Sequence, residues 1–285
     1  MQIFLTAAGA ALACVIYGVV EARLYRIRHY QVPVLDAGAK PIRILQVSDL
    51  HLRRSNRRLI AFLRNLSANS YDLVLATGDL LGEAEVMELC AELLNGLKAD
   101  RKCFVFGSSD YYAPRLRSYT DYFFKIKRPS AKKNPADLFA HTLVNAGWTN
   151  LNNATDFEDG VQITGLDDPH LKRDDRRLLL RNPAAQLAVC VVHDPAPYLE
   201  AISAGFDLVV GGHTHGGQVR FPLIGAVVTN STLPTRYARW LHRIKGGWLF
   251  VSPGLGTNKF APFRFLCRPE ASILHLVEER MDSNR

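Results

Sequence analysis

Five short apolar runs, each ending abruptly in a polar cluster, constrain this chain more than any other feature. Residues 73–76, 103–106, 187–192 and 208–210 are unbroken stretches of Val, Leu, Phe, Ala and Cys, and 42–47 is interrupted only by Arg43 and Gln46. That is the pattern of strands buried on both faces. The first run is followed by Ser48-Asp49-Leu50-His51 and the second by Thr77-Gly78-Asp79. Gly107-Ser108-Ser109-Asp110 follows the third, His193-Asp194 the fourth, and Gly211-Gly212-His213-Thr214-His215-Gly216-Gly217 the fifth. Between the early runs, Leu59, Phe62, Leu63 and Leu66 recur at helical spacing, as do Val86, Leu89, Cys90, Leu93, Leu94 and Leu97. Further strands are expected at 161–164, 248–251 and 273–277. This alternation predicts an α/β domain with helices covering a sheet.

Carboxyl ends of neighbouring strands in such a fold open onto one crevice. Asp49, His51, Asp79, His193, His213 and His215 are therefore expected to meet despite their separation in sequence. Carboxylates and imidazoles together suit Mn, Fe or Zn better than Ca or Mg. Asp-x-His, or Gly-Asp after a strand, carries little information alone. Two alternate histidines bracketed by glycines are sharper, because that pattern has little structural use. All five clusters in order at strand ends make a chance arrangement improbable.

The rest of the chain has two further features. Residues 2–20 carry no charged side chain, and 19 residues of helix are about long enough for a ~30 Å hydrocarbon core. A cleaved signal peptide would need a basic leader, and a buried core helix would show a polar side. The expectation is a transmembrane anchor over 1–22, a basic juxtamembrane linker over 23–40 and one domain over 41–285. Arg23, Arg26 and Arg28 then place that domain on the cytoplasmic side of the cell membrane. Residues 111–133 hold seven Lys and Arg against Asp121 alone, interleaved with Tyr and Phe. This segment reads equally as an anionic-lipid or substrate clamp and as a solvated insertion; Arg128 is its candidate for substrate binding, and His170 is a second.

Composition narrows the classes. With 48% hydrophobic and 22% charged residues the chain folds around a core, which excludes disordered and fibrous readings. A net charge of +8 and a pI near 9.3 fit an anionic partner. No nucleic-acid motif accompanies that charge, so none is expected as a partner. The five cysteines are scattered and odd in number, which excludes a disulfide framework.

The order of blocks resembles the calcineurin-like metallophosphoesterase superfamily, with its Asp-x-His, Gly-Asp, Gly-Asn-His-Asp/Glu, His and Gly-His-x-His signatures. With its N-terminal segment the chain is most similar to a membrane-associated bacterial phosphodiesterase branch. Gly165-Leu166-Asp167-Asp168-Pro169-His170, Ser252-Pro253-Gly254-Leu255-Gly256-Thr257, Arg264 and Cys267-Arg268-Pro269-Glu270 are weaker supporting blocks. The resemblance implies a four-layer α/β/β/α sandwich and two divalent metal ions. It implies that Asp49, His51, Asp79 and His215 hold one ion, while Asp79, His193 and His213 hold the other. It also implies in-line attack on phosphorus by a hydroxide between them, with Asp79 and His213 essential to turnover.

Two departures stand out. The second acidic residue of the Gly-Asp block is replaced by Gly82, and Gly-Asn-His-Asp has become Gly107-Ser108-Ser109-Asp110. The family's Asn ligand and its proton-donating His are both absent. A hydroxyl of Ser108 or Ser109, or water on one of them, would have to substitute; Ser109 is the candidate ligand. The expected function is hydrolysis of phosphodiester or pyrophosphate bonds in an anionic, lipid-linked substrate. The alternative is a catalytically weakened domain that binds or senses phospholipid.

Overall fold

The computed structural model describes residues 2–114 and 132–279. In chain order the helices are α1 (Gln2–Glu21), α2 (Arg57–Leu66), α3 (Met87–Asn95), α4 (Ser108–Tyr111), α5 (Ala136–Asn145) and α6 (Tyr198–Ser203). The first sheet takes β1 (Arg26–Leu35), β2 (Ile42–Val47), β3 (Ser70–Thr77), β4 (Lys98–Val105) and β5 (Thr149–Asn150). The second takes β6 (Ala154–Glu158), β7 (Val161–Leu166), β8 (Leu187–Val192) and β9 (Leu208–Gly211). A small hairpin follows, β10 (Arg220–Phe221) with β11 (Gly225–Ala226); then come β12 (Trp240–Ile244), β13 (Gly247–Val251) and β14 (Glu270–Glu278).

Strand order is β1-β14-β2-β3-β4-β5 in one sheet and β12-β13-β9-β8-β7-β6 in the other. The strands that end in the polar clusters lie centrally and run parallel: β2 with β3, β3 with β4, and β7, β8, β9 and β13 together. Alternation along each strand builds the layers. Leu73 and Leu75 of β3 point into a core shared with Leu187, Val189 and Val191 of β8, so the two sheets pack face to face. Val74 and Ala76 point the other way, onto Leu59 and Leu63 of α2 and Cys90 and Leu94 of α3. Ala188, Cys190 and Val192 pack outward against Ala201 and Ile202 of α6. The result is helix, sheet, sheet, helix.

One expectation changes. The segment read as a linker over 23–40 contains β1, a ten-residue strand parallel to β14. Pro33 and Gly38 suggested a linker, but β1 is an edge strand, where a missing N–H is tolerated. Arg26 Nη2 lies 2.9 Å from Glu270 Oε2, and the Tyr30 hydroxyl donates to Glu270 Oε1, so a buried carboxylate holds the strand in place. As for the anchor, residues 2–21 are helical, but among the described residues no helix is long and apolar enough to cross a membrane. Most of the basic aromatic segment, including Arg128, lies outside the described residues.

A candidate dinuclear metal centre

The crevice forms where the carboxyl ends of both sheets meet. Gln46, fully buried on β2, donates through Nε2 to Thr77 Oγ1 at 2.8 Å and to the Gly211 carbonyl at 2.9 Å, tying the sheets together beneath it. Above this link, Asp49, His51 and Asp79 arrive from the first sheet and His193, His213 and His215 from the second. All six expected residues come together. Asp49, His51 and His215 form one group whose candidate ligand atoms lie within 4.8 Å of one another, and Asp49, Asp79 and His193 form another.

Asp79 stands between the groups. Its Oδ2 faces His51 Nε2 at 3.4 Å and His193 Nε2 at 3.5 Å. On the first side, His215 Nε2 is 3.2 Å from His51 Nε2 and 3.6 Å from Asp49 Oδ1. On the second, His213 Nδ1 is 3.2 Å from His193 Nε2. The His193 Nδ1 proton donates to the Thr77 carbonyl at 2.8 Å, which leaves the Nε2 lone pair facing the crevice. His213 Nε2 is 3.2 Å from the Asn230 carbonyl and 3.9 Å from Asp194 Oδ2, so its other face is also engaged.

The backbone is bent to make this convergence. Asp49, His51, Asp79, His213 and His215 all have positive φ, between 39° and 67°. Non-glycine residues there cost of order 1–3 kcal/mol each, and such strain concentrates at functional sites. In this conformation each side chain turns back across its strand end instead of continuing the strand. Glycines supply the room: a Cβ on Gly107 would lie 2.5 Å from Asp79 Oδ1, and one on Gly254 (φ 70°) would lie 2.6 Å from Asp49 Cβ. A side chain on Gly82 would strike the His51 and Leu52 carbonyls, which accounts for the missing second acid of the Gly-Asp block.

Electrostatics agree with a cation site. Burial lowers the pKa of His51 and takes that of His215 down to about 3, so both imidazoles are neutral with lone pairs to give. Burial alone would raise Asp79, but His193 and His51 hold it well below the ordinary carboxylate range. Burial alone would lower His193, yet Asp79 and Asp49 carry it well above its ordinary value.

The two serines have different roles. Ser108 Oγ donates to Asp168 Oδ2 at 2.6 Å and is committed there. Ser109 donates its backbone N–H to Asp79 Oδ1 at 2.7 Å, while its buried Oγ has no hydrogen-bond partner. That orphaned oxygen, on the residue whose backbone N–H holds Asp79, fits a metal-ligand position. Six carboxylate and imidazole residues plus one hydroxyl suit two borderline divalent ions. His170 is exposed at the mouth, its ring 5.1 Å from that of His213, and it groups with Asp194 and His213.

Sequence reasoning placed Asp110, Asp194 and Arg264 in its blocks without showing the supporting part each plays, and it did not single out Asn230. Asp110 is not a ligand: its Oδ1 accepts the Leu80 and Leu81 N–H groups at 2.9 and 3.0 Å and its Oδ2 accepts Gly107 N–H at 2.9 Å. It pins the turns on which Asp79 and Ser109 sit. Arg264 is completely buried, bonded to the Gly254, Gly256 and Cys267 carbonyls, with Nη2 3.3 Å from His215 Nδ1. A lone cation flanked by Phe263, Phe265 and Leu266 was the available signal. Behind His213, Asp194 was legible beside His193, whereas Asn230 carried no signal, because only folding brings 230 to 213.

A family model described as calcineurin-like phosphoesterase matches residues 42–217. The chain is 26% identical to YpbG of Bacillus subtilis over 280 residues, 95% of each chain. It is 25% identical to the metallophosphoesterase YkuE of the same organism, covering 85% of this chain and 82% of that one. To the UDP-2,3-diacylglucosamine pyrophosphatase LpxG of Chlamydia trachomatis it is 26% identical, covering 91% of each. The match spans every strand-end cluster described above, and the chain belongs to the calcineurin-like phosphoesterases, metal-dependent hydrolases of phosphate esters that use two divalent ions.

Proposed function

We propose that this chain hydrolyses a phosphodiester or pyrophosphate bond in an anionic, lipid-linked substrate at a membrane surface. One observation carries the reading: Asp79 presents a single oxygen to histidines from both sheets, 3.4 and 3.5 Å away, at the junction of two ligand groups. Asp49, His51, Asp79 and His215 would hold one ion, and Asp79, His193, His213 and the Ser109 hydroxyl the other. Bound there, two ions activate water and stabilise charge on the phosphoryl oxygens. The chain's own residues do the rest. Asp110 and Arg264 fix the ligand turns, Thr77 fixes the His193 tautomer, and His170 at the mouth contacts the substrate.

The choice of bond follows from the missing acid. Ser109 stands where the family has its proton-donating His, and a serine is a poor acid at neutral pH, while the neighbouring Ser108 hydroxyl is given to Asp168. A phosphate leaving group departs without a proton, whereas an alkoxide does not. LpxG, by name, cleaves a pyrophosphate in a diacylated sugar nucleotide, which supports a similar substrate class here. Membrane attachment would run through α1, with Arg23, Arg26 and Arg28 keeping the domain on the cytoplasmic side. The test is a rate series on aryl phosphodiesters of rising leaving-group pKa. A steep fall is expected. A flat series with chemistry rate-limiting would assign the proton to a protein acid, His170 first. Absence of metal-dependent turnover on any ester would favour the binding or sensing domain.

A further inference from the structure

Between Asp207 and Glu270 the chain contains no acidic residue, yet it holds eight Lys and Arg. The same stretch leaves an unusual amount of apolar surface uncovered. In and beside the β10–β11 hairpin, Phe221, Leu223, Ile224, Val227 and Val228 are exposed, Ile224 by 73% and Val228 by 67%. Leu223 is fully exposed and has φ 65°, a turn position where Gly or Asn would be favoured on both counts. Folding alone therefore gives no reason for a leucine at the tip.

The hairpin does not stand alone. Arg220 N donates to the Phe265 carbonyl and Phe265 N to the Gln218 carbonyl, both at 2.9 Å, which joins it to the 258–268 segment. That segment exposes Phe260, Phe263 and Leu266. Arg264 N in turn donates to the Gly18 carbonyl of α1 at 2.9 Å, and Tyr17 packs edge-on against Phe265. Leu12, Val15, Ile16 and Val20 of α1 are exposed as well. Apolar hairpin, apolar segment and apolar helix are thus connected, and Lys259, Arg236 and Arg268 are exposed within the same stretch of chain. Clustered exposed apolar side chains accompanied by cations fit the headgroup and acyl boundary of an anionic bilayer. Both roots of the hairpin touch the metal-centre histidines: Gln218 N donates to the His215 carbonyl, and the Asn230 carbonyl faces His213.

We infer that the 219–228 hairpin inserts into the surface of an anionic phospholipid bilayer beside the metal centre, so that the site works at the lipid headgroup level. The inference rests on the proposed function only in taking that centre to be where the substrate phosphate is attacked. The test places an environment-sensitive nitrobenzoxadiazole probe on Leu223→Cys in the full chain, with the exposed Cys14 changed to Ser. The partner is a vesicle of phosphatidylcholine and phosphatidylglycerol, with doxyl-labelled lipid as quencher. Blue-shifted emission and quenching are expected, and no metal or turnover is needed to see them. Emission that stays water-like on these vesicles overturns the inference, even if the protein proves to be an active hydrolase. A shift that appears without vesicles and grows with protein concentration also overturns it, assigning the face to a second copy of the chain. As a second arm, Leu223→Asp with Ile224→Asp should slow hydrolysis of a vesicle-borne substrate about tenfold while leaving bis(p-nitrophenyl) phosphate turnover unchanged. Equal loss on both substrates would make the hairpin a structural part of the site and overturn the inference.

Discussion

At the scale of single residues, the site depends on which polar atoms are free and which are committed. Ser109 Oγ is free and buried, and Ser108 Oγ is committed. Ser109→Ala should therefore weaken binding of the second ion about tenfold while the first stays bound, and Ser109→Asn, which offers an amide oxygen, should recover affinity. Calorimetric titration of chelated protein with Mn or Zn checks both; unchanged binding in the alanine variant would remove Ser109 from the ligand set. Asp110 differs, since its two oxygens satisfy three buried N–H groups. In Asp110→Asn an amide N–H₂ must face one of those donors, and a loss of about 2 kcal/mol in stability is expected. Burial, then the nearby Asp79 charge, raises the Asp110 pKa to about 7. The native state thus keeps a proton that the unfolded chain has released, and stability falls as pH rises from the ordinary carboxylate range through about 7. Thermal melts of the chelated protein across that range should show the slope, and the asparagine variant should lack that part of it.

At the scale of elements, each ligand sits just past the end of a strand, on a turn that another segment supports. Positive φ at five ligands means that the strand ends are bent rather than frayed. The 252–257 turn supplies one of the closest supports, because Gly254 lies against Asp49. Gly254→Ala combines a disfavoured backbone conformation with a side-chain collision and should cost about 2 kcal/mol or more. It should also displace Asp49 and weaken the first ion more than the second. Equal weakening of both, or a melt like that of the unaltered protein, would separate this turn from the ligand geometry. The helices contribute differently. Leu59, Leu63 and Leu66 of α2 and Cys90, Leu93 and Leu94 of α3 fall on one side because of helical spacing, so those elements were legible from periodicity alone. The edge strand β1 was not, since Pro33 and alternating half-buried residues resemble a linker until Glu270 supplies its partner.

At the scale of the whole molecule, the metal centre joins the two sheets. Asp49, His51 and Asp79 follow β2 and β3, whereas His193, His213 and His215 follow β8 and β9, and Gln46 links the sheets beneath them. Ions held across this junction stabilise the folded state by mass action, about 2.7 kcal/mol at a hundredfold excess over the dissociation constant. Chelation should lower the melting temperature and divalent metal should restore it. A melt indifferent to both would show that no ion bridges the sheets.

The sequence by itself determined the α/β class, the strands that lead to the site and six of its residues. Each of those is local information: a short apolar run ends, and a polar cluster follows. Tertiary structure decided the rest. Which serine is free depends on Asp168, brought next to Ser108 from 60 positions away. Whether Arg264 is a surface cation or a buried clamp depends on the carbonyls of 254 and 256 closing around it. The apolar hairpin appears exposed only once the fold shows that no other described segment covers it. Such properties belong to pairs of segments distant in sequence, and burial and hydrogen-bond satisfaction are set only when those segments meet.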